Sequence, residues 1–231
     1  MKFGILTPEI EPLAAHDEKR RYGDASHAAH ALELLGERWT LLVLRELLLG
    51  GRRFSELRGE LPGISANVLT QRLAELEQRG LVRRRRLPPP ASVQVYEATE
   101  WGLEAEPIVQ ALGRWAARSP RHDPTLPISG VSVLLSFRTL FSEKRAKGID
   151  ARVGFRFGQD EYVARLRKGE IRVARRPVEG ADLILSGVPA TLAAVVYGGQ
   201  PLDLLGVTGD RALAERFVAL FPLPPKVGAD G

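Results

Sequence analysis

The sequence predicts an α+β protein built from two parts, and three observations support this. Apolar residues recur at helical spacing before residue 80, and two short strands with a proline-rich tip follow. The segment 119–127 (SPRHDPTLP) has three prolines and no periodicity, as expected of a linker. Beyond it, alternating strand patterns are mixed with helical ones. We therefore predict an N-terminal arm over 1–22, a helical part with a hairpin over 23–118, a linker over 119–127, a second part over 128–223 and a tail over 224–231.

Composition places the chain among ordinary globular proteins. It has 231 residues, of which 44% are hydrophobic and 26% are charged. It contains no run of 18 apolar residues, so no membrane partner is expected. The first residues lack the apolar core of a secretory signal, and we expect a cytoplasmic location.

The residue types also limit the chemistry. The chain has no cysteine, which excludes disulfides, thiolate metal sites and cysteine redox switching. His27 and His30 lie one helical turn apart, but no further ligands follow at matching spacing, so we expect neither a metal nor a cofactor. No nucleophile elbow, P-loop or dinucleotide fingerprint is present, and the chain is not expected to be an enzyme.

The first part reads as helices, a tight turn and a hairpin. Helices are predicted over 25–35, 37–49 and 55–60, the last with Ser55 as its N-cap. Pro62-Gly63 forms a turn before a helix over 65–79 that begins at Ser65 and stops at Gly80. Strands over 81–87 and 93–97 precede a final helix over 99–117. This order predicts a winged helix-turn-helix, which places one helix in a DNA groove beside a charged hairpin.

Helical phasing divides the residues of the 65–79 helix between two faces. Leu69, Leu73 and Leu76 cluster on one face, which we predict to be buried. The opposite face carries the candidate base-reading residues, which are Asn67, Thr70 and Gln71. Asn and Gln can form two hydrogen bonds with the major-groove edge of adenine, discriminating by roughly 1–3 kcal/mol per contact. The alternative is that these are simply solvated residues of a surface helix.

Positive charge is concentrated around this motif. The chain carries a net charge of +5, and residues 52–86 hold nine arginines against four glutamates. The residues that we expect to contact the DNA backbone are Arg52, Arg53, Ser65, Arg72, Arg83, Arg84, Arg85 and Arg86. For Arg72, which points toward the buried edge of its helix, packing is the alternative. Alternation along a strand sends two of the last four arginines to each face. A solvated basic edge that blocks strand aggregation is the alternative for these four.

A single helix reads too few bases for a unique genomic site, so a homodimer on double-stranded DNA is expected. Leu112 and Trp115 in the last helix of the first part are the candidate dimer seam. Packing of both residues within their own domain is the alternative.

Residues 22–118 resemble the HxlR-type winged helix-turn-helix transcriptional regulators. The resemblance rests on the joint spacing of GERWTLLVLREL, RFSEL, GIS and LTQRLAELE. It implies a homodimeric DNA-binding regulator whose recognition helix is 65–79 and whose wing is 83–96, with dimerisation through the first and last helices of the domain. Many family members have a Cys-Pro pair before the first helix, where this chain has Ser26 and His27. Thiol sensing therefore cannot operate here.

The second part is predicted to be α+β, with an antiparallel sheet and flanking helices. Helices are expected over 131–141, 189–197 and 210–221, and strands over 151–157, 162–167, 170–174 and 181–186. Residues 126–221 resemble sterol-carrier-protein-2-like (SCP2-like) domains, which implies an apolar tunnel for a hydrophobic small molecule. The candidate pocket residues are Phe155, Phe157, Leu183, Leu185, Leu192, Val196 and Phe217. A closed core without a cavity is the alternative.

The sequence thus favours a DNA-binding transcriptional regulator whose effector would be a hydrophobic molecule in the second part. The competing hypothesis is a carrier of lipids or other hydrophobic ligands, in which the first part mainly dimerises the protein.

Overall fold

A computed structural model describes residues 22–228, in two units that divide after Arg38. The predicted arm over 1–22 lies outside the described residues except for Tyr22. In the first unit, helix α1 (His27–Leu35) begins where the Ser26 hydroxyl accepts a hydrogen bond from the Ala29 amide at 3.2 Å. None of the helices between residues 22 and 228 is long and apolar enough to cross a membrane.

The second unit begins with the predicted helix-turn-helix and hairpin. In chain order it contains α2 (Thr40–Leu47), α3 (Phe54–Glu60), α4 (Ala66–Gln78), β1 (Val82–Arg86), β2 (Gln94–Ala98), α5 (Glu100–Leu103) and α6 (Glu106–Ala116). Strands β1 and β2 are antiparallel, with Arg84 opposite Tyr96. The winged helix-turn-helix order is therefore confirmed.

Three details of this half differ from the sequence prediction. Helix α2 starts only at Thr40, because Trp39 has a left-handed backbone (φ 77°) that a continuous helix does not allow. Ser55 lies inside α3 and is not its N-cap; the N-cap is Arg53, whose amide donates to the Glu56 carboxylate at 2.9 Å. The expected helix over 99–117 is broken into α5 and α6, because Pro107 has no N–H to continue the hydrogen-bonding pattern.

The C-terminal half places helices against a five-stranded sheet. It contains α7 (Gly130–Leu140), β3 (Ala151–Phe157), β4 (Asp160–Arg167), β5 (Glu170–Arg175), β6 (Leu183–Ser186), α8 (Pro189–Tyr197), a 3₁₀ turn (Leu202–Leu204), β7 (Gly206–Gly209) and α9 (Arg211–Val218). The strand order is β5-β4-β3-β6-β7. The tail folds back on the end of α6, where the Lys226 ammonium donates to the carbonyls of Ala117 and Ser119, both at 3.0 Å.

The sheet is mixed, so the prediction of an antiparallel sheet was wrong. Strand β6 pairs in parallel with β3, while the other neighbouring strands are antiparallel. Parallel pairing arises because the chain leaves β5 at one edge and crosses β4 and β3 before it enters β6. Strand β7 was not predicted, because the short segment GVTG shows no alternation of apolar and polar residues.

Gly154 in β3 makes room for this crossover. A Cβ atom added at Gly154 would lie 2.8 Å from the Cβ of Val178, and Val178 belongs to the segment that crosses the sheet. Val178 is buried, and its amide donates to the Glu161 carboxylate at 3.1 Å. The crossover segment therefore packs directly on β3 at Gly154, where a side chain would collide with Val178.

Aromatic rings fill the core between the C-terminal sheet and its helices. Phe137 of α7 stacks on Phe221 with ring centroids 4.3 Å apart, and it lies 5.7 Å from Phe217. Phe217 is in turn 5.7 Å from Phe155. All seven candidate pocket residues lie in this core or pack against it; they are Phe155, Phe157, Leu183, Leu185, Leu192, Val196 and Phe217. Their side chains thus belong to one apolar interior.

A buried polar contact joins the helix-turn-helix to the C-terminal sheet. The guanidinium of Arg52 donates to Asp160 Oδ2 at 2.9 Å and to the Tyr162 hydroxyl. Burial acts to raise the pKa of the Asp160 carboxyl, but the guanidinium groups of Arg52 and Arg175 hold this pKa below its usual range. Nearby, the Ser129 hydroxyl donates to the buried Glu46 carboxylate at 2.7 Å. Polar groups of the two halves thus meet in buried hydrogen bonds, and in the case of Arg52 and Asp160 in an ion pair.

We expect Gly154→Ala to lower the free energy of unfolding by about 1–3 kcal/mol, because the added methyl group overlaps Val178. The matched control is Gly59→Ala in α3, where an added Cβ meets nothing within 4 Å. This control should be neutral or stabilising by up to about 1 kcal/mol. Urea unfolding followed by circular dichroism measures both, and equal stability of the two variants would contradict the tight crossover.

Candidate nucleic-acid interface

Local hydrogen bonds fix the turn between α3 and α4. The Ile64 amide donates to the Leu61 carbonyl at 3.1 Å, and Gly63 has a φ of +89°, which glycine adopts without strain. The Ser65 hydroxyl then accepts the Val68 amide at 3.2 Å and begins α4 as predicted. Its hydroxyl hydrogen remains able to donate to a phosphate.

Helix α4 is buried on the predicted face. Leu69, Leu73 and Leu76 are buried on the side where the helix packs against α2 and β1. The exposed residues of α4 are Asn67, Thr70, Gln71, Ala74 and Gln78. The structure therefore brings the three candidate base readers together on one uncharged outer surface.

The three candidates differ in the hydrogen bonds that they already make. The Thr70 hydroxyl donates to the Ala66 carbonyl at 2.9 Å, and the Gln71 amide donates to Glu75 Oε1 at 3.1 Å. Between residues 22 and 228, the side chain of Asn67 has no hydrogen-bond partner. Asn67 thus keeps both its donor and its acceptor available for a base edge.

Two glutamates hold three of the wing arginines. Arg83 and Arg85 lie on one face of β1, where their guanidinium groups donate to Glu97 of β2 at 2.8 and 2.6 Å. Arg84 lies on the other face and donates to Glu77 of α4 at 2.8 and 2.9 Å. The alternation of arginines between two faces is as the sequence predicts. Because Glu77 belongs to the candidate recognition helix, Arg84 connects the wing to that helix.

The carboxylates of Glu97 and Glu77 offset part of the positive charge of the wing. Partial burial acts to raise the pKa of Glu97, but hydrogen bonds from Arg85 and Arg83 bring this pKa below its ordinary value. Arg86, the last of the four, is exposed and makes no side-chain bond within the described part of the chain. A phosphate near β1 would find Arg86 available and would compete with carboxylates for the others.

Two of the residues expected at the DNA backbone lie in the interior. Arg52 is only 2% exposed and is held by Asp160 and Tyr162, so it cannot reach a phosphate. Arg72 is 6% exposed and pairs with Glu75 one turn along α4. Both expectations are corrected, because Asp160 neutralises Arg52 and Glu75 neutralises Arg72 in the interior. Arg53, next to Arg52, is exposed at the start of α3.

Sequence reasoning missed the carboxylates that hold the wing. The hairpin register places Glu97 opposite Arg83, and this pairing could have been found by aligning the two strands across their turn. The contact between Glu77 and Arg84 depends on how α4 packs on the hairpin, which no local pattern reveals.

Comparison with known proteins identifies the family. The model described as HxlR-like helix-turn-helix matches residues 34–123. The uncharacterized HTH-type transcriptional regulator YvaP of Bacillus subtilis is 38% identical over 86 residues, which cover 37% of this chain and 80% of YvaP. The chain belongs to the HxlR-like helix-turn-helix family.

Other HxlR-like relatives show similar coverage. The HTH-type transcriptional regulator YodB of B. subtilis is 38% identical over 86 residues, covering 37% of this chain and 77% of YodB. The uncharacterized HTH-type regulator Rv3095 of Mycobacterium tuberculosis is 37% identical over 103 residues, covering 45% of this chain and 64% of that protein.

One solved structure similar to this HxlR-like chain is the reduced form of YodB from B. subtilis. It is 36% identical in sequence, the match covers 41% of this chain and 93% of that chain, and the TM-score is 0.37. Another is the redox regulator HypR in its reduced form. It is 32% identical, the match covers 39% of this chain and 90% of that chain, and the TM-score is 0.37.

We expect Arg52→Met to cost about 3–5 kcal/mol of unfolding free energy, because it removes one member of a buried, hydrogen-bonded ionic contact. The neighbouring control, Arg53→Met, should change stability by at most about 0.5 kcal/mol, because Arg53 is exposed. Chemical unfolding of both variants measures the difference. A small and equal effect of the two substitutions would show that Arg52 does not act as an interior anchor.

Proposed function

We propose that this HxlR-like protein is a DNA-binding transcriptional regulator that acts as a homodimer. The observation that carries the proposal is the exposed, uncharged face of α4, which lies beside an arginine-bearing hairpin in a winged helix-turn-helix. Side-chain amides on such a face have the donor and acceptor pattern that a major-groove base edge requires. Arginines on the hairpin would supply phosphate contacts that set orientation but not sequence.

Within α4, Asn67 and Gln71 are proposed as the principal base readers, with Thr70 beside them. Asn67 enters the complex without breaking an internal bond, whereas Gln71 must exchange Glu75 for a base. The residues proposed at the backbone are Arg53, Ser65, Arg83, Arg84, Arg85 and Arg86. For Arg83, Arg84 and Arg85 the phosphate must compete with Glu97 or Glu77, so these contacts should depend strongly on salt.

The homodimer is supported by an apolar stripe on α6. Ile108, Leu112 and Trp115 recur at helical spacing and are 44%, 47% and 77% exposed. The opposite side of α6 packs on α7, where Arg114 donates to the Thr139 carbonyl at 2.7 Å. The large exposed fractions of Leu112 and Trp115 favour a partner over packing within their own domain. A second copy of the chain would remove this stripe from water.

For the C-terminal half, the SCP2-like assignment and its hydrophobic effector remain a proposal. The support for it is that the seven candidate residues share one apolar interior. Since rings fill that interior, an effector would have to displace core side chains, such as the half-buried Phe157 and Val196, to enter. A hydrophobic molecule extracted from purified protein that binds no specific DNA would favour the carrier hypothesis instead.

The first test of the proposal is DNA selection followed by sequencing. We expect the wild type to enrich one sequence and Asn67→Ala/Gln71→Ala to lose that preference, because each lost contact costs roughly 1–3 kcal/mol of discrimination. Non-specific, salt-sensitive binding should survive in the double variant. Gln78→Ala is the control, since Gln78 is exposed at the far end of the same helix. An unchanged preference in the double variant would refute this reading face.

The dimer is tested by sedimentation. We expect Leu112→Glu/Trp115→Glu to sediment as a monomer, because two carboxylates would be buried in the proposed seam. The control, Leu126→Glu/Leu204→Glu, changes two other exposed leucines and should sediment like the wild type. A dimer that persists in the first variant would place the seam elsewhere.

A further inference from the structure

A second basic region lies in the C-terminal half, far along the chain from the wing. Residues 151–176, which form β3, β4 and β5, contain eight arginines and lysines against three acidic residues. Their local excess of +5 equals the formal net charge of the whole protein. The positive charge of the molecule is therefore not confined to the helix-turn-helix.

Strand register gathers three of these arginines into a row. Arg152 of β3 lies opposite Arg165 of β4, and Arg165 lies opposite Arg172 of β5. Ala164 and Leu166, which flank Arg165 on β4, are buried in the core. Side chains alternate between faces along a strand, so Arg165 and the two arginines opposite it lie on the outer face of the sheet. Adjacent strands are about 4.8 Å apart, which brings the three charges close together. We call these three residues the arginine row.

The carboxylates nearby neutralise the arginine row only in part. Arg165 pairs with Asp150, an acid that Arg167 also approaches at 3.8 Å. Arg172 is 80% exposed and pairs at 3.1 Å with Glu170, which is 68% exposed, a contact that contributes little in water. Within residues 22–228, the guanidinium of Arg152 makes neither a hydrogen bond nor an ion pair. Like charges placed directly opposite one another destabilise a sheet, so the row is unfavourable for folding alone.

Strand β5 also ends beside the helix-turn-helix. At the end of β5, the Arg175 amide donates to the Leu49 carbonyl at 3.1 Å, and its guanidinium donates to the Gly51 carbonyl at 3.0 Å. That guanidinium also lies 3.8 Å from Glu56, in the first turn of α3, where Arg53 is exposed. The next residue, Arg176, is exposed with no side-chain partner among the described residues. Alternation puts Arg175 on the inner face with Ile171 and Val173, so the exposed basic residues here are Arg176 after β5 and Arg53 at the start of α3.

We propose that the arginine row binds the phosphate backbone of double-stranded DNA flanking the sequence read by α4. This inference rests on the proposed DNA-binding function and assigns to the C-terminal half a direct share in it. Duplex DNA presents a phosphate charge about every 1.7 Å along its axis, so it offers partners well beyond the bases that one helix reads. Guanidinium groups suit phosphate oxygens, which they can contact with two parallel hydrogen bonds.

A protein partner fits this face less well. Val163, the apolar residue between the charges on β4, is buried, and the outward positions of β3, β4 and β5 offer no exposed aromatic side chain. Protein interfaces rely on such aromatic anchors at their centres. An anionic membrane surface is the remaining competitor, and the experiment includes it.

The test uses the full chain and its selected DNA sequence. Fluorescence anisotropy compares a duplex trimmed to that sequence with one extended by about 10 base pairs on each side, over a range of salt concentrations. In Arg152→Gln/Arg165→Gln/Arg172→Gln we expect the affinity for the long duplex to fall about tenfold or more. The slope of log K against log salt should become shallower by about 2–3, since each lost phosphate contact removes about 0.9. Binding of the trimmed duplex should change less than about twofold.

The control removes the same number of charges elsewhere. Lys144→Gln/Lys147→Gln/Arg216→Gln changes three exposed basic residues outside the arginine row and should leave the long-duplex affinity and salt slope unaltered. The arginine-row variant should also unfold at an equal or higher denaturant concentration than the wild type, because it loses like-charge repulsion. Loss of binding with retained stability separates a DNA contact from a structural role.

Three results would overturn the inference. The first is an unchanged salt slope in the arginine-row variant, and the second is an equal loss of affinity in the control variant. Binding of wild type, but not of the arginine-row variant, to phosphatidylserine vesicles with DNA affinity unchanged would assign the surface to membranes and reject DNA. Failure of the proposed function would look different, because the wild type would then prefer no sequence. The row would still be tested in that case by its effect on non-specific binding to the long duplex.

Discussion

The buried guanidinium of Arg52 is the contact on which the arrangement of the second unit depends. Its backbone forms two hydrogen bonds with Tyr96 of β2, at 2.9 and 2.8 Å, immediately before α3 begins. Its side chain reaches Asp160 and Tyr162 in β4. One residue therefore joins the wing, the start of the helix-turn-helix and the C-terminal sheet. A buried charge is stable there only because opposing groups and hydrogen bonds compensate its loss of water.

The contact of Arg52 with β4 would allow an effector bound in the C-terminal half, as proposed, to change DNA binding. A ligand can change DNA affinity only if it binds two states of the protein differently. Since Asp160 and Tyr162 belong to the sheet, a displacement of β4 would move Arg52, and with it both the wing and the start of α3. Leu48 and Leu49, which follow α2, are also buried in the C-terminal core and would respond to the same displacement. The absence of cysteine means that no thiol chemistry can drive such a change.

Local patterns predicted elements well wherever short-range forces decide them. The spacing of Leu69, Leu73 and Leu76 fixed both the existence and the rotation of α4, and the exposed positions of Asn67, Thr70 and Gln71 agree with that phasing. Long-range contacts caused the errors. Arg52 looks like a surface cation in the sequence, and only its distant partners, Asp160 and Tyr162, show that it is interior. Parallel pairing of β6 with β3 also depends on a crossover that has no local signature.

The sequence by itself determined most of the helices and strands in their order, the family and the composition of the candidate DNA-reading face, because helical and strand periodicities are local properties. The tertiary structure decided which arginines face solvent, since Arg52 and Arg53 are adjacent in the chain but only Arg53 is exposed. It also decided that Arg152, Arg165 and Arg172 lie side by side, because register across three strands joins residues that are distant in sequence. Charge is encoded residue by residue, but its location on the surface is set by packing.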